Sequence, residues 1–392
     1  MDPYLSDWLD FLLRWLHVIA AMVWIGTSFY FVALDNHLRP PRRRDDPAGD
    51  VGGESWEVHG GGFYRVQKFR VAPDRLPEPL HWFKWEAYTT WISGFLLFVV
   101  LYYVEADTYL IDRSVADLSR AEAIALSIAL LVLAWVVYDA LCRRLGGREG
   151  LLGVTLVVLV ALATWGVSNL FGGRATWIQV GAMLGTIMVA NVFFVIIPGQ
   201  WELVRAKQQG TEVDPVHGLR GKQRSVHNNY LTLPVLIAML GNHFPTAHAH
   251  DRGWAILAAL MAIGAWIRHF FNLRHAGRTH FSVLVSAGIE LVVVALLVRP
   301  GDASPVDGAE PVAFGRVQRI VEERCAGCHS REPELVASAP QGVTFDTAAE
   351  IRAQAGAIDR QAVRSRAMPP GNVTEMTDEE RNLLAAWLRG EG

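Results

Sequence analysis

Long apolar runs are the feature that most constrains the fold of this chain. Eight segments each hold about 20 mostly apolar residues, the length that an α-helix needs to cross a bilayer. They cover residues 8–34, 86–104, 121–141, 151–170, 176–197, 226–244, 253–272 and 281–299. The pattern predicts an all-α fold in which residues 1–299 form a polytopic membrane bundle of about eight transmembrane helices.

Composition and the N-terminus agree with a protein held in the lipid bilayer. Hydrophobic residues make up 51% of the chain and charged residues only 19%, against roughly 25% charged residues in an average soluble protein. A formal net charge of −3 argues against a nucleic-acid partner. The first apolar run has no basic region before it and is too long for a signal peptide, so we interpret it as a retained span.

Basic residues in the connecting loops predict the orientation of the bundle. If the N-terminus lies outside, the inner loops hold nineteen Arg and Lys residues and the outer loops hold four. The positive-inside rule then predicts a bacterial inner-membrane protein whose N-terminus and C-terminal region are both periplasmic. The first inner loop, residues 35–85, is long, and Gly60, Gly61 and Gly62 lie within it. We expect a partly ordered cytoplasmic flap there.

A short cysteine motif predicts a cofactor near the C-terminus. Cys325, Cys328 and His329 form the Cys-x-x-Cys-His sequence to which c-type haem is attached, with His329 as the proximal ligand of the iron. The chain has no second cysteine pair to complete a zinc site. Cys142 follows an apolar run, and we interpret it as a structural thiol.

A methionine between this motif and the C-terminus is the expected distal ligand of the haem iron. Met368 is followed by two prolines that would hold its loop rigid, and Met/His ligation raises the haem potential. Met376 is the alternative, without the proline setting. Residues 377–380 then form a capping box for a terminal helix. Together these features predict a cytochrome c domain over residues 313–392, joined to the bundle by a linker over residues 300–312.

Ionisable side chains inside spans are functional hypotheses, because the bilayer makes them costly. His17 lies in the first span beside small residues and is a candidate ligand of a b-type haem; hydrogen bonding to a neighbouring helix is the alternative. His243, at the outer end of the sixth span, is a candidate second ligand or a headgroup-level histidine. Glu86, which opens the second span, is either a proton acceptor or a charge that satisfies the helix N-terminus.

Two polar groups lie near the cytoplasmic ends of the sixth and seventh spans. His227, Asn228 and Asn229 are consecutive and costly to desolvate without partners, a pattern typical of a site for a flat polar ligand. The alternative is a set of hydrogen bonds between helices. Arg268 and Asn272 are one turn apart and share a helix face, so they can attract an anion, although positive-inside flanking explains the arginine equally well.

The chain resembles the bacterial membrane-bound urate oxidases, also called urate hydroxylases. The resemblance rests on the helix His17–Gly26, the segment Trp82–Gly94, the sequence His-Asn-Asn-Tyr-Leu-Thr-Leu-Pro over residues 227–234, and the haem motif with Met368. It implies oxidation of urate to 5-hydroxyisourate. It also implies that electrons leave through the c-type haem to a terminal oxidase or a soluble cytochrome c. We further expect a b-type haem, with His17 as one ligand, to bridge a cytoplasmic-side pocket and the outer haem. The alternative is a pocket that opens outward, which would need no bridging haem and would not use the inner polar residues.

Two other functions compete with this hypothesis. An electron-transfer module would relay electrons from quinol or another dehydrogenase without a substrate of its own, and it predicts at least two paired transmembrane histidines per b-type haem. A haem- or copper-handling protein predicts Met or Cys pairs within the spans. Met183 and Met188 are too isolated for that. The enzyme instead predicts that Asn228 and Asn229 matter for turnover but not for haem content.

Overall fold

The computed structural model describes residues 3–41, 51–299, 312–336 and 338–390. Helices cover all eight predicted segments. In chain order, the helices of the first domain are α1 (Pro3–His37), α2 (Trp85–Phe98), α3 (Ala106–Tyr109), α4 (Arg120–Leu145), α5 (Glu149–Ser168), α6 (Gly173–Asn191), α7 (Ile197–Gln208), α8 (Pro215–Leu240), α9 (Pro245–His248), α10 (Gly253–His275) and α11 (Phe281–Leu297). Single π-helical turns extend α2 over Val99–Tyr103 and join α6 to α7 over Val192–Ile196.

Five helical stretches of the described chain are long and apolar enough to cross a membrane. They are Trp8–His37, Arg120–Leu145, Glu149–Ser168, Gly173–Gln208 and Gly253–His275. The other three predicted spans do not meet this requirement of length and apolar character. Helices α2 and α11 are too short, with 14 and 17 residues, and α8 carries several polar side chains. The helical, membrane-type fold is therefore confirmed, and the number of eight spans stays a prediction.

Helix α6 forms the centre of the bundle. Its Trp177, Gln179 and Asn191 are fully buried, and it packs against α4 and α8. Small residues bring the backbones together: a Cβ added to Gly181 would lie 3.1 Å from the Cβ of Ala238 on α8. Such close approach is typical of helix packing in membranes. The bundle interior is thus built around α6 and α8, the two helices that carry most of the buried amide side chains.

The long loop between α1 and α2 contains a β-hairpin that the apolar pattern did not predict. Strands β1 (Val51–His59) and β2 (Gly62–Phe69) pair antiparallel. Gly60 and Gly61 form the turn with φ of +57° and +81°, a conformation that favours glycine and suits a two-residue hairpin loop. The described part of the loop that was expected to be partly ordered thus contains a two-stranded sheet.

The C-terminal region folds into a small separate helical core. Its helices are α12 (Phe314–Arg324), α13 (Ala348–Ala353), α14 (Ala355–Ile358) and α15 (Asp378–Gly390). The predicted capping box is confirmed, because Thr377 N donates to Glu380 Oε2 at 2.7 Å and Glu380 N donates to Thr377 Oγ1 at 3.2 Å. Of the predicted linker, residues 300–311 lie outside the described residues.

One turn of this domain contacts the outer surface of the bundle. The turn Pro370–Asn372, directly after Met368, packs against α3. A Cβ added to Gly371 would lie 2.9 Å from the carbonyl oxygen of Ile111, and Gly371 has a φ of +55°. Glycine is therefore needed here both for the backbone conformation and for the close approach.

Candidate functional site

Three consecutive residues of α8 direct their side chains to two different sides of the helix. Successive residues are about 100° apart around an α-helix, so one helix can serve two neighbours with adjacent positions. His227 and Asn228 contact α4 and α6, whereas Asn229 contacts α10. The amide-rich sequence that looked like one cluster is therefore divided between two.

The first group, which we call the Arg224 cluster, joins α4, α6 and α8. Its members are Tyr138, Asp139, Asn191, Arg224, His227 and Asn228. Arg224 is buried, and its Nη2 donates to Asp139 Oδ1 at 2.7 Å. Its guanidinium also lies 5.0 Å from the centre of the Tyr138 ring. The buried positive charge is thus both paired and stacked.

The amides and the imidazole of the Arg224 cluster are satisfied by protein groups. His227 Nδ1 lies 2.7 Å from the Tyr138 hydroxyl. Asn191 Nδ2 donates to Asn228 Oδ1 at 2.8 Å, and Asn228 Nδ2 donates to the Met188 carbonyl oxygen at 2.9 Å. Buried polar networks that are fully bonded in this way fix the relative positions of helices.

The second group, which we call the Arg268 cluster, joins α1, α8 and α10 through Phe29, Asn229, Arg268 and Asn272. Arg268 is only 4% exposed, and its Nε donates to Asn229 Oδ1 at 2.8 Å. Its guanidinium carbon lies 3.8 Å from the centre of the Phe29 ring, a direct cation–π contact. Asn272 follows Arg268 by one helical turn, on the same face.

Three buried atoms of the Arg268 cluster have no hydrogen-bond partner among the described residues. They are Asn229 Nδ2, Arg268 Nη2 and Asn272 Oδ1, and we call them the open polar atoms. A buried polar group without a partner costs about 1–3 kcal/mol, and more when it is charged. These atoms offer two donors and one acceptor beside a buried positive charge, which are the groups that a polar anion able to accept and donate hydrogen bonds would need.

The Arg268 cluster lies in the inner half of the bundle under the predicted orientation. Arg268 is 15 residues from the outer end of α10, about 22 Å at 1.5 Å per residue, and about 10 Å from its inner end. Glu86, at the inner end of α2, also has a buried carboxylate oxygen, Oε2, that lacks a partner within the described chain. It precedes Thr90 by one turn on the face of α2 that meets α1.

His17 lies against α2, farther toward the outer side than the Arg268 cluster. Its Nδ1 is 3.0 Å from the Thr90 carbonyl oxygen and 3.3 Å from Ser93 Oγ. A Cβ added to Gly94 would lie 2.7 Å from His17 Cε1, so glycine makes room for the ring. With Nδ1 engaged by a carbonyl oxygen, Nε2 is the nitrogen left for a metal, the arrangement most metal-ligating histidines have.

His243, the other candidate haem ligand, follows α8. It lies in a short 3₁₀ turn, Gly241–His243, and its side chain is exposed. Two ligands of one haem would be separated by the haem and would not bond to each other, so the pairing of His17 with His243 stays a prediction.

The Cys-x-x-Cys-His motif directly follows α12. His329 Nδ1 lies 3.0 Å from the Val343 carbonyl oxygen, which leaves Nε2 for an iron ligand. Cys325 packs into the core of the domain near Met368, and burial, with a smaller contribution from Cys328, raises the pKa of its free thiol to about 12. The thiols are not joined in a disulfide, so both are present for thioether bonds.

The two methionine candidates have different surroundings. Met368 is half-buried, and its backbone is held by Gln361 O and by Arg381 Nη1, at 2.9 Å and 2.8 Å. Met376 is fully packed inside the hydrophobic core of the domain. Cys325, Cys328, His329 and Met368 therefore fit a covalently attached haem with His/Met ligation, and Met376 fits a core role.

Sequence reasoning missed several partners of the predicted residues. Asp139 and Asn191 are polar residues within apolar spans, and that signal alone could have identified them. Phe29 and Tyr138 gave no such signal, because aromatic residues are common in membrane helices. Their roles depend on which helices become neighbours.

Comparison with known proteins identifies the first domain. The family model described as urate oxidase N-terminal matches residues 3–299, which include both polar clusters and His17. No curated protein and no solved structure matches the chain. Because the matched region is most of the sequence, the chain belongs to the urate oxidase N-terminal family.

Proposed function

We propose that this protein is a membrane-bound urate hydroxylase, which oxidises urate to 5-hydroxyisourate and passes the electrons through a c-type haem on its C-terminal domain to the respiratory chain. The observation that carries the proposal is the set of open polar atoms in the Arg268 cluster, inside the region that matches the family. The chemical character of those atoms matches the character of urate.

Urate at neutral pH is a planar anion that has carbonyl oxygens and N–H groups on its edges. Arg268 Nη2 and Asn229 Nδ2 would donate to its oxygens or its deprotonated nitrogen, and Asn272 Oδ1 would accept from one of its N–H groups. The guanidinium is already oriented by Asn229 Oδ1 and Phe29. Charge-assisted hydrogen bonds are strengthened where water is excluded, so this buried arginine is the main source of binding energy.

The reaction removes two electrons and two protons from urate and one added water molecule. Cys325, Cys328, His329 and Met368 would hold a c-type haem, which would supply a one-electron acceptor for an oxidation in two steps. The protons need acceptors near the site. Glu86, whose buried Oε2 has no partner among the described groups, is the proposed acceptor.

The positions of His17 and Met368 support an electron route from the inner half of the bundle outward. His17 lies about 18 Å from Phe29 along α1, in the outward direction. The turn after Met368 contacts the outer surface at Ile111. His17 would be the residue that holds a b-type haem, which would supply one-electron transfer. A pyridine haemochrome spectrum tests this: the wild type should contain b and c haem, and His17→Ala should lose the b component alone.

The Arg268 cluster favours the enzyme over a pure electron relay. A relay binds no substrate of its own, so it gives no reason for a buried arginine with a donor that has no partner among the described residues.

The test is anaerobic mixing of urate with the purified, oxidised protein while the α band of the c haem is followed. We expect the haem to be reduced as the urate absorbance falls. A haem that stays oxidised with urate but is reduced by quinol would contradict the proposal and support the relay. Reduction by dithionite alone serves as the control that the haem is competent.

A further inference from the structure

The β1–β2 hairpin exposes an apolar surface that urate oxidation does not use. We propose that this hairpin lies in the headgroup region of the cytoplasmic leaflet, so that Trp56, Val58 and Phe63 contact lipid. The proposal is independent of the proposed enzymatic function, because it rests only on how the hairpin is held against α1.

The hairpin is fastened along the inner end of α1 in a fixed direction. Three contacts do this: Arg39 N to Glu54 O at 2.9 Å, Lys68 Nζ to Asp35 Oδ1 at 2.6 Å, and the Tyr30 hydroxyl to Glu57 Oε2 at 2.7 Å. The residues on the α1 side of these contacts are Arg39, Asp35 and Tyr30, in order from the end of the helix back toward its N-terminus. Tyr30, the one farthest back, contacts Glu57, which of the three hairpin residues in these contacts is the nearest to the tip. The tip of the hairpin therefore points toward the bilayer and away from the cytoplasm.

The two faces of the hairpin have different chemistry. Side chains alternate along a strand, so Glu57 and Lys68 share the face that meets α1. The opposite face carries Trp56, with Val58 and Phe63 directly paired at the tip. These three side chains are 57%, 69% and 81% exposed. The side that meets α1 is thus used for fastening. On the opposite face the Arg65 guanidinium lies 5.9 Å from the centre of the Trp56 ring, while Val58 and Phe63 at the tip stay largely exposed.

The length of α1 places the tip at the edge of the hydrocarbon core. At 35 residues the helix is about 52 Å long, whereas the core is about 30 Å thick. If the core is centred on α1, its inner boundary falls near Tyr30. The Val58–Phe63 pair lies one residue pair beyond Glu57, the partner of Tyr30, and hence at that boundary.

The apolar side chains of this face lie nearer the tip than the ion pair does. Glu54 pairs with Arg65 at 2.7 Å, Trp56 lies directly opposite Arg65, the Val58–Phe63 pair follows, and His59 ends the strand at the turn. Tryptophan and tyrosine prefer the headgroup level, and Tyr64 lies there too. The strands have backbone groups at both edges, which need water, so the hairpin belongs in the interface and not in the core.

The test uses Phe63→Cys, labelled with an environment-sensitive fluorophore, in the full chain reconstituted into vesicles. Phe63 is highly exposed, so the substitution should leave the fold intact. Glu212→Cys, in the exposed turn between α7 and α8, is the matched control, and the unsubstituted chain measures background labelling of native cysteines. Quenching by lipids that carry a shallow spin label is compared with quenching by aqueous iodide.

We expect the label at position 63 to be quenched several-fold more by the shallow lipid quencher than the label at position 212, and less by iodide. Equal behaviour at both positions would overturn the proposal, because the tip would then project into water. Protection from both quenchers that disappears on dilution of the protein in the membrane would also overturn it, since a second copy of the chain would then cover the tip.

Discussion

The two faces of α8 carry polar clusters of similar composition and different completeness. The Arg224 cluster holds an arginine, two amides, a tyrosine and a histidine, and its groups bond to one another. The Arg268 cluster also holds an arginine and two amides, but it contains the three open polar atoms. Both arginines are buried to the same degree, so burial alone does not distinguish a structural site from a binding site. The two clusters differ instead in whether all of their buried polar atoms have hydrogen-bond partners.

The physical reason is the cost of burying charge. Arg224 is neutralised by Asp139 at 2.7 Å, whereas no carboxylate lies within 4.0 Å of Arg268 among the described residues. A buried guanidinium without a counterion is retained in spite of its cost when a ligand supplies the missing charge. Removing each arginine should therefore affect different measurements.

The largest expected effect is on turnover in Arg268→Gln. Loss of the cation and of the open donor should lower urate-dependent haem reduction roughly 1000-fold, since removing one partner of a buried charge pair costs about 4 kcal/mol. Thermal stability should change little, because no ion pair of the protein is broken. Stopped-flow haem reduction and a thermal melt measure the two quantities. A variant that melts early and still turns over urate would reverse the roles of the two clusters.

Arg224→Met should show the opposite pattern. It leaves Asp139 without its buried partner and removes a donor to Asn191, which should lower the free energy of unfolding by about 3 kcal/mol. Haem reduction by urate should be retained below the melting temperature. The double variant with Asp139→Asn should recover part of the stability. Full stability of Arg224→Met alone would argue that the cluster does not hold the helices together.

The stabilities of the arginine variants should be compared above pH 6.5, because His248, another buried polar residue, titrates at acid pH. Burial, and to a smaller extent Arg174, lowers the pKa of His248 in α9 to about 4 from 6.5. Between these two values the unfolded chain binds a proton that the folded chain does not. Stability is therefore full above pH 6.5 and falls by about 2–3 kcal/mol as the pH approaches 4.

His248→Asn should remove that part of the acid sensitivity. The measurement is the melting temperature in detergent at pH 7.5 and pH 4.5 for the wild type and the variant. The wild type should lose more stability than the variant between these two values. An identical loss in both would show that other groups cause the acid effect.

The smallest expected effects are those of replacing Asn228 or Asn229 by alanine, and they should differ between these two neighbours. Asn229→Ala removes an open donor and the acceptor of the Arg268 Nε bond, so it should lower kcat/KM for urate about 10-fold and the free energy of unfolding by about 1–2 kcal/mol. Asn228→Ala breaks two buried bonds and should lower the free energy of unfolding by about 1–2 kcal/mol, with little change in kcat/KM. Each of these two variants serves as the control for the other. Similar losses of turnover in both would mean that α8 contributes a single site.

The sequence by itself determined most of the large-scale organisation. Apolar runs of about 20 residues can satisfy their backbone in lipid only as helices, so their positions along the chain were predictable. The Cys325–His329 motif and the capping box at Thr377 are local patterns, in which the residues that interact are close in sequence. The prediction of an amide and arginine site near the inner ends of two spans also came from local chemistry.

Only the tertiary structure decided which polar residues share a site. Asn228 and Asn229 are neighbours in sequence, yet their partners lie on α6 and α10 because each residue turns the helix face by about 100°. His17 meets Thr90 because α1 packs against α2. The hairpin at residues 51–69 depends on its contacts with Asp35 and Tyr30, which are distant in sequence. Helix packing sets these partnerships, and a linear pattern of apolar and polar residues does not specify it.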